Sequence, residues 1–395
     1  MIKIDTKGFN WLDIYDIYRD DDKVLINPLV NKIKSQYEDD GTHQIVKNLL
    51  TWWFFEDGNI SVSKVSGYLI DENLVEKIMQ YDEAISSVMP QADRCFSAII
   101  SSWPVAKREA LMRTSPSERK EIIAAVIKPQ NIHMFDGISE NDLIIKPKYG
   151  TVYSSKDKMK QIKLLYEDEI STIISQLSEV FNYNTYSHKF RDKLLTAMHI
   201  EVCPYCNRQY ITGFSTNGIS RSTADIDHFY SKTQYPFLAL FLYNFIPSCQ
   251  ICNSRFKLTA DFGHSKHINP YKCGFDKDGV FKFKSIESLL GGPLEYEIEN
   301  LHNREDISNS INTFHLNEVY QTHQDYVEEL VKKAQIYNES QFAEYLENFG
   351  ELFKNKGEMQ RIIFGNYVQE NELGKRPLAK LTKDLLNDLG VKIED

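Results

Sequence analysis

Apolar residues return every three or four positions along two stretches near the start of the chain, residues 29–55 and 73–85. This spacing gathers them on one helix face and predicts amphipathic helices there. Ser115-Pro-Ser-Glu118 has the form of a capping box with proline in the first turn, so a further helix is predicted to run from there to about residue 127. Residues 1–140 are therefore predicted to form a helical N-terminal domain.

The rest of the chain contains both the helical spacing of apolar residues and strand-like stretches. Two strand-like stretches, residues 209–214 and 219–226, flank Asn217-Gly218, a dipeptide that strongly favours a two-residue hairpin turn. Glycine and proline between residues 129 and 152 indicate a domain junction. Helical spacing predicts further helices at residues 156–181, 188–199, 316–337 and 378–389. The predicted fold is α+β and mainly helical, with a mixed domain at residues 141–290 and a C-terminal helical region at 291–395.

Composition narrows the class of protein. The 395-residue chain is 42% hydrophobic and 26% charged, which suits a folded protein of two or three domains. Its longest nearly apolar run, residues 237–246, is about half the length that spans a bilayer. The first residues lack the basic-then-apolar order of a signal peptide. These observations predict a cytoplasmic protein that does not enter a membrane.

Charge is unevenly distributed along the chain, whose formal net charge is -10. Residues 1–140 carry 16 Lys/Arg and 22 Asp/Glu, a net of -6, and residues 281–395 carry 13 and 21, a net of -8. Between them, residues 187–272 hold 10 Lys/Arg against 5 Asp/Glu, with five of the ten histidines. A basic segment between acidic flanks can attract a nucleic acid without binding polyanions indiscriminately.

Four of the six cysteines form two Cys-x-x-Cys pairs, Cys203/Cys206 and Cys249/Cys252, separated by 42 residues. Two intervening residues let both thiolates of a pair reach one ion, and two pairs complete the tetrahedral set of a structural zinc site. A redox pair or chance placement is the alternative, but a redox motif needs only one pair. The other cysteines, Cys95 and Cys273, have no partner spacing and are predicted to be buried small residues.

The segment between and beside the pairs carries residues suited to phosphodiester hydrolysis. Imidazole accepts a proton near neutral pH, so His228 is the candidate general base that activates water. Carboxylate and amide oxygens suit a hard divalent ion, so Asp227 and Asn253 are candidate ligands of Mg²⁺ or Mn²⁺. His264 and His267 are predicted to be surface or structural histidines. Candidate phosphate contacts, each with a solvated surface charge as the alternative, are Arg208, Lys232, Arg255 and Lys257.

Together these residues resemble the HNH, or ββα-metal, endonucleases that carry a zinc site of four cysteines. The resemblance is sharp over residues 200–272, is plausible over 150–395 and does not cover 1–140. The sequence around these motifs, including Arg376-Pro-Leu-Ala-Lys-Leu-Thr, is similar to that of HNH proteins from bacterial anti-phage defence loci. The HNH component of the Septu system is one such relative. The residues that carry it are Cys203/Cys206, Asp227-His228, Asn244, Cys249/Cys252-Asn253 and Lys257.

The resemblance implies a central ββα-metal core at residues 141–290, with Asn244 holding the connecting loop by hydrogen bonds. Strand alternation alone places Asp225 and Asp227 on one face and His228 on the other. Asp227 and His228 can therefore act together only if the strand ends or bulges at this point, as it does in the family.

Competing interpretations of function stay open at this point. The leading one is a metal-dependent endonuclease, with DNA preferred over RNA through the resemblance alone. The alternative is a zinc-ribbon module that binds nucleic acid or protein and keeps a vestigial nuclease site. The resemblance to defence loci also implies an effector that is silent alone and works in a complex, often with an ATPase. The sequence has no P-loop, so any nucleotide hydrolysis must come from a partner. The four tryptophans all lie in residues 1–140 and form either core or a surface for a partner or a second copy.

Overall fold

The computed structural model describes residues 1–18, 25–72, 171–258, 260, 262–263, 265–285, 294–353 and 355–393. Within them the fold is mixed α/β, with short antiparallel strand pairs among helices. Residues 171–180 are also helical. The helices are Trp11–Tyr18, Ile26–Glu38, Gln44–Phe54, Val62–Ile70, Tyr183–Met198, Glu305–Thr313, Leu316–Tyr320, Gln324–Ile336, Glu339–Phe349, Lys356–Phe364 and Ala379–Asp388. The strand pairs are Phe55–Glu56 with Asn59–Ile60, Gly213–Thr216 with Ile219–Ser222, Asp225–His228 with Phe245–Ser248, and Gly279–Phe283 with Tyr296–Asn300.

The chain forms two compact units, and neither is continuous in sequence. The first unit comprises Met1–Ile14, Lys189–Phe229 and Phe245–Asp395. The second unit comprises Tyr15–His188 and Tyr230–Asn244. The domain boundaries predicted after residues 140 and 290 both fall outside the described residues, so the three-domain division stays a prediction.

An aromatic cluster forms the core of the second unit. Trp53 is 8% exposed and lies 5.6 Å, between ring centroids, from both Tyr68 and Phe237. The Tyr68 hydroxyl donates to the Phe237 carbonyl at 3.1 Å. Trp53 is therefore a core residue, which is the first of the two roles considered for the tryptophans. Trp103 and the side chain of Trp52 lie outside the described residues, as do Cys95 and the capping box at Ser115.

The predicted hairpin turn in the first unit is confirmed, whereas its two strands do not extend over the predicted residues 209–214 and 219–226. Gly213–Thr216 pairs with Ile219–Ser222, and the turn residues Asn217 and Gly218 have left-handed φ angles of 52° and 76°. Left-handed backbone at both positions is what a two-residue turn of this kind requires. The hairpin also lies close to the helix Tyr183–Met198, because a Cβ on Gly213 would stand 2.6 Å from the Thr196 Cα.

Helix boundaries differ from the sequence expectation where side chains compete for backbone groups. The stretch predicted over residues 29–55 is two helices, because the Thr42 hydroxyl donates to the Gln36 carbonyl at 2.7 Å and helps to close a turn between them. The stretch 316–337 is likewise divided by a short 3₁₀ turn at Gln321–His323. The helix predicted at 378–389 is confirmed as Ala379–Asp388.

Asn207, directly after the first cysteine pair, joins that pair to the C-terminal helix. Its backbone is left-handed, with φ of 49°, and its carbonyl accepts from Leu378 N–H at 2.7 Å. Its side chain donates to the Leu373 carbonyl at 2.9 Å and accepts from Lys380 N–H at 3.0 Å. Asn207 therefore caps the helix Ala379–Asp388 from a distant part of the sequence.

The start of the chain packs against the same region. The Ile2 N–H donates to the Pro204 carbonyl at 2.9 Å, within the first cysteine pair. The Ile2 side chain forms a buried cluster with Leu373 and Ala379. The first residues of the chain are therefore part of the unit that contains the cysteines.

Candidate metal centre and candidate catalytic strand

The two cysteine pairs meet in one buried cluster. The four sulfur atoms of Cys203, Cys206, Cys249 and Cys252 lie within 4.8 Å of one another, and Cys206 Sγ is 3.9 Å from Cys249 Sγ. Four thiolates at about 2.3 Å from one zinc ion would be about 3.8 Å apart, whereas a disulfide needs about 2.05 Å. The cluster therefore has the spacing of a site that could hold a metal ion such as zinc.

Backbone N–H groups turn toward two of these sulfurs. Arg208 N–H donates to Cys206 Sγ at 3.4 Å, and Cys252 N–H donates to Cys249 Sγ at 3.5 Å. Such bonds favour thiolate over thiol, because they place partial positive charge at the sulfur. Burial acts in the opposite direction and raises the pKa of Cys203 well above that of an ordinary thiol. A bound cation is what would let all four sulfurs carry charge in this buried position.

The strand that ends in Asp227-His228 pairs with a second strand, and the second cysteine pair follows that second strand in sequence. Asp225–His228 pairs regularly with Phe245–Ser248, from Asp225 opposite Ser248 to His228 opposite Phe245. Cys249 follows the second strand directly, and Cys252–Lys257 form a short π-helix. The first strand ends at His228, and its pairing up to that residue is regular.

Asp227 is fully engaged inside the protein. Its Oδ1 accepts from the Lys257 ammonium at 2.9 Å, and its Oδ2 accepts from the Tyr205 hydroxyl at 2.6 Å. Burial raises the pKa of Tyr205, so the phenol stays protonated and donates. The side chains of Asp227 and Lys257 are 5% and 3% exposed. Each cysteine pair thus sends one side chain to the same carboxylate, since Tyr205 lies inside the first pair and Lys257 follows the second.

His228 belongs to the opposite side of the strand. It is 8% exposed, and its ring meets the Phe245 ring edge-on, with centroids 5.1 Å apart and planes at 89°. Its backbone carbonyl also accepts from the Lys257 ammonium. Lys257 therefore contacts both residues of the Asp-His pair, one through its carboxylate and the other through its backbone.

Asp225 is the more open aspartate of the strand. Its side chain is 33% exposed, and its Oδ2 lies 3.3 Å from Asn253 Nδ2. The Arg191 guanidinium stands 3.7 Å from Asp225 Oδ1. Asp225 and Asp227 therefore share the strand face toward the Cys252–Lys257 helix, as alternation predicts.

Asn244 lies in the second unit and closes the segment that connects the two strands. It is completely buried and its Oδ1 accepts from Tyr230 N–H at 2.7 Å. Its Nδ2 donates to the carbonyls of Tyr230 at 3.0 Å and Leu238 at 2.9 Å. With all of these bonds directed to backbone groups, Asn244 holds the segment Tyr230–Asn244 in shape.

The basic residues predicted to contact phosphate have different positions. Lys257 is buried in an internal ion pair, so its ammonium is not placed to meet a phosphate, and that prediction does not fit the structure. The Arg208 guanidinium donates to His323 at 3.0 Å and Thr322 at 3.2 Å. Lys232 lies over the Tyr183 ring, where burial lowers its pKa, while Arg255 is exposed. Of the four side chains, Arg255 is the exposed one.

His267 is a structural histidine, as predicted from the sequence. It stacks on Phe262 at 3.8 Å between ring centroids, and its Nε2 lies 2.9 Å from the Thr313 hydroxyl. Burial lowers its pKa. Cys273 is half-buried, whereas His264 lies outside the described residues.

Comparison with known proteins adds no relative to this picture. The chain matches no protein-family profile, no curated protein and no solved structure. No helix of the described part of the chain combines the length and apolar character needed to cross a membrane. The geometry of the site is therefore the basis on which a function can be proposed.

Proposed function

We propose that this protein is an HNH-type endonuclease that hydrolyses phosphodiester bonds, with zinc held by the four cysteines. The observation that supports the proposal most is the chain order around the metal cluster. An antiparallel strand pair begins with a strand that ends in Asp227-His228, continues into the second cysteine pair, and is followed at once by a helix that starts with Cys252-Asn253. This is the order of elements that the HNH resemblance implies.

In the proposed reaction His228 is the general base. Its imidazole takes a proton from water, and the resulting hydroxide attacks phosphorus while the P–O bond to the leaving oxygen breaks. The leaving oxygen keeps the bonding electron pair and takes a proton from solvent. The regular pairing of His228 with Phe245 and the edge-on contact of their rings fix the imidazole at the end of the strand. Lys257 holds the same strand end through the His228 carbonyl. A base held in one orientation contributes about 10²–10⁴-fold to rate.

The divalent ion that the resemblance implies does not fit Asp227 as the structure has it. Both oxygens of Asp227 already accept hydrogen bonds, and one of the donors is an ammonium. A second cation on this carboxylate would meet the charge of Lys257 at close range. No step of the reaction is therefore assigned to an ion at Asp227.

The same observation favours the second candidate, a zinc-ribbon module that binds nucleic acid or protein. Asp227 is held in an internal ion pair with Lys257, and His228 is 8% exposed. Both residues can therefore have a structural role without any catalytic one. The two candidates differ in one measurable property, which is whether loss of the imidazole removes cleavage.

The test is cleavage of plasmid DNA and of total RNA by the zinc-loaded protein with Mg²⁺, Mn²⁺ or EDTA. His228→Ala is expected to keep the fold and the zinc and to lower the rate at least 100-fold. The matched control is His302→Ala, which removes an exposed histidine that pairs with Asp278. Equal cleavage by wild type and His228→Ala would leave the binding module as the better proposal.

We also propose that the nuclease works as an anti-phage effector with a partner. The sequence resemblance to defence loci supports this proposal. DNA is proposed as the substrate in preference to RNA on the same resemblance. Purification together with any neighbour-encoded ATPase, followed by the same assay with and without ATP, tests whether cleavage depends on that partner.

A further inference from the structure

We propose that the hairpin formed by residues 213–222 is a ribbon that binds the substrate by entering the major groove of duplex DNA. The inference rests on the proposed nuclease function and deepens it, because it names the surface that holds the substrate and the form of nucleic acid that fits it. None of the four phosphate contacts predicted from the sequence lies in this ribbon.

The ribbon projects from the first unit. Residues 214–219 form an unbroken run of exposed positions around the Asn217-Gly218 turn. The two strands pair with each other, and the described part of the chain adds no third strand to their sheet. A two-stranded ribbon fits the major groove of DNA, which is about 8.5 Å deep. The exposed strand residues 214–216 are about 10 Å long, so the ribbon can reach the floor of the groove.

One face of the ribbon carries two cross-strand pairs whose side chains suit the edges of bases. Phe214 stands opposite Arg221, and Thr216 stands opposite Ile219. Phe214 and Ile219 are 46% and 57% exposed, and Arg221 is exposed as well. In the major groove arginine donates to guanine, while phenylalanine and the threonine methyl group contact the thymine methyl group. Neighbouring exposed apolar side chains of this size mark the face as a binding surface.

The base of the ribbon lies against a helix with exposed lysines. On the other face of the ribbon, Thr196 of the helix Tyr183–Met198 takes the space that a side chain at Gly213 would need. Thr196 Oγ1 also lies 3.4 Å from the Arg221 carbonyl. Lys193 and Lys189 are exposed and precede Thr196 by about one and two turns of the same helix face. Basic side chains therefore flank the ribbon, where the phosphates beside a groove would lie.

Charge and composition favour nucleic acid over a protein as the occupant. Residues 202–224 contain no aspartate or glutamate, although the formal net charge of the chain is -10. Residues 189–224 hold five Lys/Arg against two Asp/Glu, and one of those two, Asp192, is paired with Arg191. Hydroxyl and amide side chains, which donate to phosphate and sugar oxygens, occupy half of the ten ribbon positions. They are Ser215, Thr216, Asn217, Ser220 and Ser222.

The place of the ribbon in the chain brings a bound duplex close to His228. The second strand of the ribbon ends at Ser222, and the strand that ends in His228 begins at Asp225. At about 3.3 Å per residue, the chain from Ser222 to His228 spans no more than about 20 Å. Since a duplex rises about 3.4 Å per base pair, His228 lies within about six base pairs of the ribbon. The ribbon is therefore close enough to hold a duplex whose phosphates pass the candidate base.

The experiment measures the affinity of the zinc-loaded full chain for a short fluorescein-labelled DNA duplex. Fluorescence anisotropy is recorded without added Mg²⁺ or Mn²⁺, so that binding is separated from cleavage. The double variant Phe214→Ala with Arg221→Ala is expected to bind at least about 10-fold more weakly than wild type. The matched control is Lys332→Ala with Leu352→Ala, which also removes one exposed cation and one exposed apolar side chain, but from the acidic C-terminal region. It is expected to bind within about 2-fold of wild type.

Two further probes test the groove. A duplex whose cytosines carry a glucosylated hydroxymethyl group at C5 has its major groove filled by sugar, whereas its minor groove stays open. Wild type is expected to bind this duplex at least about 10-fold more weakly than the unmodified one. Duplex RNA should also bind more weakly, because its major groove is too narrow and deep for side chains to read. Equal affinity for either probe and for plain duplex DNA would overturn the major-groove assignment.

The proposal is overturned if wild type binds no duplex DNA, or if the double variant at Phe214 and Arg221 binds like wild type. Unchanged DNA affinity together with a loss of self-association in that variant would make the ribbon a protein interface instead. Should the double variant fail to fold, Ile219→Asp provides the second measurement, and unchanged affinity there also overturns the proposal.

Cleavage by wild type and His228→Ala is measured separately. A protein that binds a duplex through the ribbon but does not cleave it refutes the nuclease proposal and leaves the ribbon as a binding surface. A protein that cleaves through His228, and whose ribbon variants bind like wild type, refutes the ribbon and leaves the nuclease proposal standing.

Discussion

Asn207→Ala is expected to weaken the attachment of the C-terminal helix to the first cysteine pair. The change removes a side chain that caps Lys380 N–H, which is worth about 1 kcal/mol. It leaves the buried Leu373 carbonyl without its donor, at a cost of about 1 kcal/mol. Alanine is also disfavoured in the left-handed backbone at this position by about 1 kcal/mol. The expected total loss in free energy of unfolding is about 3 kcal/mol.

The matched control is Asn217→Ala in the hairpin turn. Asn217 has nearly the same φ, 52° against 49°, but it is exposed. It therefore reports the backbone cost of about 1 kcal/mol alone. Hydrogen–deuterium exchange should show the amides of Ala379–Asp388 exchanging about 30-fold faster in Asn207→Ala than in Asn217→Ala, the equivalent of 2 kcal/mol of local opening. Equal exchange rates in the two variants would refute the capping role of Asn207.

The remaining predictions concern the metal, the loop, pH and the start of the chain. Elemental analysis is expected to find about one zinc per chain, and Cys249→Ser should lose it and unfold at lower temperature, whereas zinc-free protein that is well folded would contradict the site. Asn244→Ala should cost about 2–4 kcal/mol in unfolding experiments, since it removes three hydrogen bonds to buried backbone groups, and a cost below 1 kcal/mol would contradict this. Burial lowers the pKa of His267, so as the pH falls below about 6.5 the unfolded chain takes up a proton on this histidine before the folded chain does. The free energy of unfolding should therefore decrease as the pH falls. This decrease per pH unit should be smaller in His267→Gln. A truncated protein starting near Leu143 tests whether residues 1–140 dock a partner. The truncation also removes Ile2 from its buried cluster, so the control is Ile2→Ala in the full chain. Ile2→Ala is expected to cost about 2–4 kcal/mol in free energy of unfolding. Retention of both fold and complexes by the truncate would refute the docking idea.

How much the sequence could predict depended on whether the signal was local. The Asn217-Gly218 turn and the four-cysteine cluster follow from short spacings, and both are in the structure. The engagement of Asp227 could not be predicted in the same way, because its partners Tyr205 and Lys257 lie 22 and 30 positions away. The residue types of Tyr205 and Lys257 do not indicate which carboxylate each one binds.

The strand face on which Asp225 lies could be predicted from the sequence. Strand alternation already placed Asp225 and Asp227 on one face, but the HNH resemblance drew attention to the residue next to His228. Only the burial of each side chain separates the two aspartates, and burial depends on the helix that packs above them. The residues around Asn207 were equally hidden, since a cap normally lies beside its own helix in sequence.

The discontinuous first unit also sets the order in which the protein can be completed during synthesis. Asn207 and Ile2 have their partners at residues 373–380, so these contacts can form only after those residues have been translated. At about 5–20 residues per second, Ile2 is translated roughly 20–75 s before those partners. During that interval the first cysteine pair exists without the contacts through which Asn207 joins it to the C-terminal helix. A nascent chain that ends before residue 373 therefore lacks the contacts that Asn207 and Ile2 make with residues 373–380.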